Sequence, residues 1–169
     1  MKRLVLCLSI GMLLAYQAGA QHIKAAEDAY EAGQIARHQE LSAKAARLFQ
    51  KAIRIEPTFM EARQGLIDVY LKAGQDERAA SAITQFLEIE PTASQDRILL
   101  GQLLLKQGEI ERALAQFSLA LTTDPDNADA LFGFAVAAKR MGMKDRAAKA
   151  IARGRKLHPR DKRFRSAEK

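Results

Sequence analysis

Side chains that could ligate a metal, attack a carbonyl or move a proton are sparse and scattered in this chain. His22, His38 and His158 are the three histidines, and no two stand at a spacing that places both on one metal ion. Cys7 is the single cysteine. Carboxylate pairs such as Glu27 with Glu31, and Glu88 with Glu90, read as solvated helix faces. No glycine-rich phosphate loop and no nucleophile elbow occurs. The expectation is a protein that is not an enzyme and holds neither a metal nor a cofactor.

The one dense group of reactive side chains is basic. Arg153, Arg155, Lys156, Arg160, Lys162, Arg163, Arg165 and Lys169 are opposed locally only by Asp161 and Glu168. The whole chain has 27 Lys and Arg against 20 Asp and Glu, yet Gln21 to Ala152 is close to neutral, with 17 basic and 18 acidic residues. The basic character is therefore a feature of the C-terminal stretch. Three uses fit it: a solvated helix end favoured by the helix dipole, an anionic envelope surface or acidic partner, and nucleic acid. Nucleic acid is not expected, because no aromatic platform accompanies the charges.

The elements that position these residues are set by a repeat. Pro57, Pro91, Pro125 and Pro159 are spaced 34 residues apart. Ala45, Ala79, Ala113 and Ala147 recur in the same phase, as do Phe49, Ile83, Phe117 and Ile151. Gly74, Gly108 and Gly142 follow it too, with Glu40 in the first copy. Two helices fit within each period. Glycine ends the first in a left-handed cap, and proline stops the second.

This pattern resembles the tetratricopeptide repeat, a 34-residue helix–turn–helix unit with a small residue at position 8, Ala at 20, a large apolar residue at 24, a small one at 27 and Pro at 32. Phased on the prolines, the copies span 26–59, 60–93, 94–127 and 128–161. Position 8 is Gly33, Ile67, Gly101 and Ala135, and position 27 is Ala52, Phe86, Ala120 and Gly154. Ile67 and Phe86 depart from the pattern and suggest looser packing in copy two, while Glu40 suggests a different turn in copy one. The resemblance implies an all-α repeat solenoid of about eight helices, in which neighbouring copies share one apolar core. Capping boxes are expected at Thr58 with Glu61 and Thr92 with Gln95, and an N-cap at Asp126. The stretch 162–169 reads as a basic tail, where Asp161 could start a short and marginal helix through Phe164, leaving the last copy incompletely covered.

In this family the first helix of each copy lines a concave peptide groove. Carried over by position, the resemblance assigns that groove to Tyr30, Gln34, Arg37, Asp68, Leu71, Lys72, Ile98, Gln102, Leu105, Lys106, Phe132, Val136, Lys139 and Arg140. Ile98, Leu105, Phe132 and Val136 would give it an apolar floor, with Lys72, Lys106, Lys139 and Arg140 as a basic edge. The same face also suits cover by the chain's own terminus or by a second copy. Some members clamp a chaperone's terminal carboxylate with Lys, Asn and Arg. The matching positions here hold Tyr30, Gln34, Gly65, Gln95 and Leu99, so that clamp is missing.

Lys2 and Arg3, the apolar run Leu4 to Ala15 and the small residues Ala18, Gly19 and Ala20 read as an export signal over 1–20, cleaved before Gln21. The run is shorter than the roughly 20 residues a membrane-spanning helix needs. The expectation is a periplasmic or secreted scaffold, adaptor or assembly factor for an envelope complex such as pilus, secretion or cell-wall machinery. Its partner would be a peptide or protein in the groove, with a homo-oligomer through the uncovered last copy as another form. The alternative is a module that holds an anionic polymer or membrane with its basic tail. No nucleic acid is expected.

Overall fold

The structure is a computed structural model that describes residues 2–166, with side chains from residue 17 onward. All regular structure among these residues is helical: α1 Lys2–His38, α2 Ser42–Ile55, α3 Met60–Lys72, α4 Asp76–Ile89, α5 Ser94–Gln107, α6 Ile110–Thr123, α7 Ala128–Arg140, α8 Lys144–Leu157 and α9 Lys162–Ser166. The chain divides into two compact units, Met1–Gln75 and Asp76–Lys169, and the boundary falls at the turn inside copy two. In the first unit α1 packs on α2 and α2 on α3. In the second, α4 to α9 pack in succession, and α5 also meets α7. The basic and apolar parts of the expected export signal, with Cys7, lie outside the described side chains, and residues 167–169 of the tail lie outside the described residues. Position 20 is continuous with copy one inside α1.

Each core is organised around one phenylalanine held between two glycines. A Cβ on Gly33 or Gly65 would lie 2.8 Å from the Phe49 ring. Gly101 and Gly133 stand in the same relation to Phe117, at 2.8 and 2.3 Å. The glycines give up their own volume so that a full ring enters between helices, and both rings are completely buried. Copies two and four carry the smaller Ile83 and Ile151 at that position, with Ile67 and Ala135 where copies one and three have glycine. Ile67, in the first unit, and Phe86, in the second, are both buried.

The turns inside the copies are alike. Gly74, Gly108 and Gly142 have φ of 66°, 82° and 75°, and Glu40 adopts the same left-handed conformation at φ 59°. In every copy the next residue closes the turn with a backbone hydrogen bond of 2.9 Å: Leu41 to Ala36, Gln75 to Tyr70, Glu109 to Leu104 and Met143 to Ala138. Copy one thus has the common turn and not the different one expected. The closing bond outweighs the cost of a side chain in the left-handed region, roughly 1 kcal/mol.

Junctions between copies correct the expected caps. Thr58 donates to Glu56 instead of capping α3, and neither α3 nor α5 has a side-chain N-cap. An arginine holds the preceding proline carbonyl instead: Arg63 donates to Pro57 at 2.8 Å, Arg97 to Pro91 at 2.8 Å and Arg165 to Pro159 at 2.6 Å. Leu131 stands at that position in copy four. There Asn127, not Asp126, caps α7 by accepting from the N–H groups of Asp129 and Ala130.

Candidate functional site

In the first unit, α1 and α3 bring together Tyr30, Gln34, Arg37 and Asp68. The Tyr30 ring lies 5.8 Å from Phe49 and 5.1 Å from Phe59, and its hydroxyl accepts from Gln34 Nε2 at 2.5 Å. Gln34 Oε1 is buried without a partner among the described residues. Arg37 pairs with Asp68 at 3.3 Å, so this part of the expected groove neutralises its own charge. Leu71 is half-buried and Lys72 exposed.

In the second unit, Ile98 is only 1% exposed and cannot form a floor. Leu100, Gly101, Leu103 and Leu104 of the same helix are buried too. A helix apolar nearly all round is packed on more than one face, and position 98 falls on a packed one. Gln102 is exposed and Leu105 half-buried. Lys106 pairs with Asp76, and Arg140 donates to the Leu105 carbonyl at 3.2 Å.

The expected residues that converge are on α7. Phe132, Val136, Lys139 and Arg140, with Ala135 and Ile151 of α8, line a cavity of about 280 Å³. Its walls are apolar, its only charged lining residues are Lys139 and Arg140, and both are exposed. Sequence position alone had not included Ala135 and Ile151, which belong to the repeat's own core pattern.

Beside this cavity lies α9, where the sequence suggests only a short and marginal helix within the basic tail. Phe164 is fully buried and stands nearly perpendicular to Phe132, ring centroids 5.9 Å apart. Arg163 lies over Phe132 at 5.2 Å and pairs with Asp129 at 2.7 Å and Asp161 at 2.6 Å. Hydrogen bonding to Asp161, and then to Asp129, raises the Arg163 pKa and keeps the guanidinium charged. The same Arg163 bonds hold the Asp161 carboxyl below the usual range. The last copy is therefore covered over Gly154 by α9, contrary to the expected bare end. Arg153 is likewise engaged with Asp126 at 2.6 Å, and Arg165 with Pro159. Lys156, Arg160 and Lys162 are exposed. The basic stretch is largely stitched into the fold and is not a loose polycation.

Among the described residues no group of three or more His, Cys, Asp or Glu side chains could hold a metal ion, and no helix is long and apolar enough to cross a membrane. A family profile for the tetratricopeptide repeat matches residues 36–103 and 104–169. The chain belongs to the tetratricopeptide repeat family. The tetratricopeptide fold is seen again in solved structures. YrrB, described as a tetratricopeptide repeat protein with an unusual peptide-binding site, is 24% identical with a TM-score of 0.71, over 85% of this chain and 74% of its own. A MamA protein is 19% identical with a TM-score of 0.76, over 85% and 79%. A tetratricopeptide repeat protein from Parabacteroides merdae is 17% identical with a TM-score of 0.76, over 86% and 58%. No curated protein matches the sequence. Tetratricopeptide repeats build scaffolds for protein–protein interaction, and that is the class of this chain.

Proposed function

We propose that this tetratricopeptide protein is an exported adaptor or assembly factor for a cell-envelope complex, and that it captures a peptide or helix of apolar and acidic character on α7. The observation that carries this reading is the cavity between Phe132 and Val136, flanked by Lys139 and Arg140 with no carboxylate in its lining. An apolar side chain of the partner would enter the cavity while its carboxylates met the two cations. Burying two such side chains contributes roughly 3–6 kcal/mol before the partner's ordering cost.

The test compares the full chain with Val136→Glu and Lys139→Glu, each checked for unchanged helicity, on envelope extract at low and high salt. Partners held by the wild type at both salts and lost on Val136→Glu support the reading. Partners indifferent to both variants and removed by salt would transfer the function to the exposed cations Lys156, Arg160 and Lys162, the anionic-surface alternative. Export is tested separately, by N-terminal sequencing of the protein from fractionated cells. Gln21 at the N-terminus of envelope material supports it, and an intact cytoplasmic chain overturns it.

A further inference from the structure

Neighbouring copies meet in a fixed register. Phe49 and Phe117, at position 24, stand against Gly65 and Gly133 at position 6 of the following copy. Gly154, at position 27, takes Phe164, which falls at position 3 of the next period. Asp76, at position 17, pairs with Lys106 at position 13 of the following copy. Each pair of positions adds to 30, so a second helix and the first helix that follows it run antiparallel in one phase. Successive first helices also meet directly: Arg37, at position 12, pairs with Asp68 at position 9 of the following copy.

After copy four, α9 fills only the start of this pattern, because Ser166 stands at position 5. The seat beyond it is open. Position 21 is buried in the three earlier copies, as Ala46, Ala80 and Leu114, whereas Ala148 is exposed. Position 17 is half-buried as Ser42, Asp76 and Ile110, whereas Lys144 is exposed. The α7 cavity belongs to the same seat, with Val136 and Lys139 in its wall. Neither Lys139 nor Lys144 makes an ion pair among the described residues.

The register states what an incoming helix must carry. Lys139 faces its position 9, as Arg37 faces Asp68. Lys144 faces its position 13, as Asp76 faces Lys106 with the signs exchanged. Position 10 is apolar and buried wherever a copy precedes it, as Val69, Leu103 and Ala137. Here such a residue would lie on Ala148 and the apolar wall of the cavity.

We propose that this seat takes a helix of a partner protein, docked beyond α9 in the phase of a further first helix, with carboxylates at positions 9 and 13 and an apolar residue at 10. This rests on the reading of the α7 cavity as the partner site, and adds the partner's form and phase. A second copy of the chain is not the occupant. No first helix of the chain has acids at both positions: Asp68 fits the first, but Lys72 follows it at the second. Ala167, Glu168 and Lys169 fall at positions 6 to 8, short of the three positions that are read.

The test titrates the full chain, isotopically labelled, with two alanine-based helical peptides of about 15 residues. One carries Glu, Leu and Glu in the spacing of positions 9, 10 and 13. Its isomer has the second Glu one residue later. The expected result is shifts of the 136–148 amides and about fivefold tighter binding of the first peptide, the upper worth of one exposed ion pair. Lys144→Glu should abolish that margin, and a peptide with Lys for the second Glu should bind this variant better than the original peptide does. Equal binding of the two isomers, or indifference to Lys144→Glu, would overturn the register and leave the α7 reading standing, provided that Val136→Glu still weakens both peptides. If neither peptide binds while Val136→Glu still loses partners from extract, the helix is overturned and the cavity retained. Loss of both signals would overturn the two readings together.

Discussion

Gly154 and Phe164 fit as socket and plug: a Cβ built on Gly154 would lie 2.2 Å from the Phe164 ring, which is completely buried. The five-residue helix α9 is too short to be stable through its own hydrogen bonds. Its position rests on this ring together with the Arg163 pairs to Asp129 and Asp161 and the Arg165 bond to Pro159. Phe164→Ala should lower the unfolding free energy by about 3 kcal/mol, the usual cost of emptying an aromatic site, as read from urea denaturation. Gly154→Ala should instead release α9 locally. Its amides would then exchange rapidly with solvent while α4 to α8 stay protected.

The turn of copy one holds a spare increment of stability. Glu40→Gly removes the strain of a side chain at φ 59° and should raise stability by about 1 kcal/mol. Gly108→Ala should lower it by a similar amount, because a Cβ there meets nothing within 4 Å and only the backbone objects. Opposite shifts in melting temperature of the two variants check both statements.

The glycine cradles predict coupling. Gly133→Ala forces a Cβ to 2.3 Å from Phe117 and should cost about 1–3 kcal/mol, the range for an overpacked core. Combined with Phe117→Leu, which frees that volume, the same change should cost far less than the two single effects added. A double-mutant cycle on the unfolding free energies measures the difference.

The docking of α9 should respond to acid. Asp161 is held below the ordinary carboxyl range, first by hydrogen bonds from the Arg163 side chain and then by one from its backbone. A lowered carboxyl pKa contributes stability above the unfolded value, and that contribution is lost as pH falls through the folded value. Arg163 stays charged throughout. Protonation of Asp161 should therefore move the α9 amide resonances in a transition that lies below the ordinary aspartate range. Asp161→Asn should remove that acid transition.

Much of this was legible because punctuation repeats. Proline and glycine act on the backbone directly, so their 34-residue spacing located every helix pair from α1 to α8. Relations between two distant side chains were not legible. Thr58 and Thr92 matched a capping motif, but the arginine reaching back to the proline carbonyl took over the junction. Ile98 had the right phase for a groove floor, and phase cannot tell a helix face that is open from one that is packed. Phe164 was missed as a plug for the same reason: its partner Gly154 had been read only as a small residue in its column.

The bond from Arg165 to the Pro159 carbonyl repeats those from Arg63 to Pro57 and from Arg97 to Pro91. The step into α9 thus has the same joinery as the step from one copy to the next. For protein engineering this makes residues 159–165 a splice point. A further 34-residue module grafted in phase after Arg165 would inherit a working hinge, a set entry angle and a seated Phe164, and would need to bring only its own core.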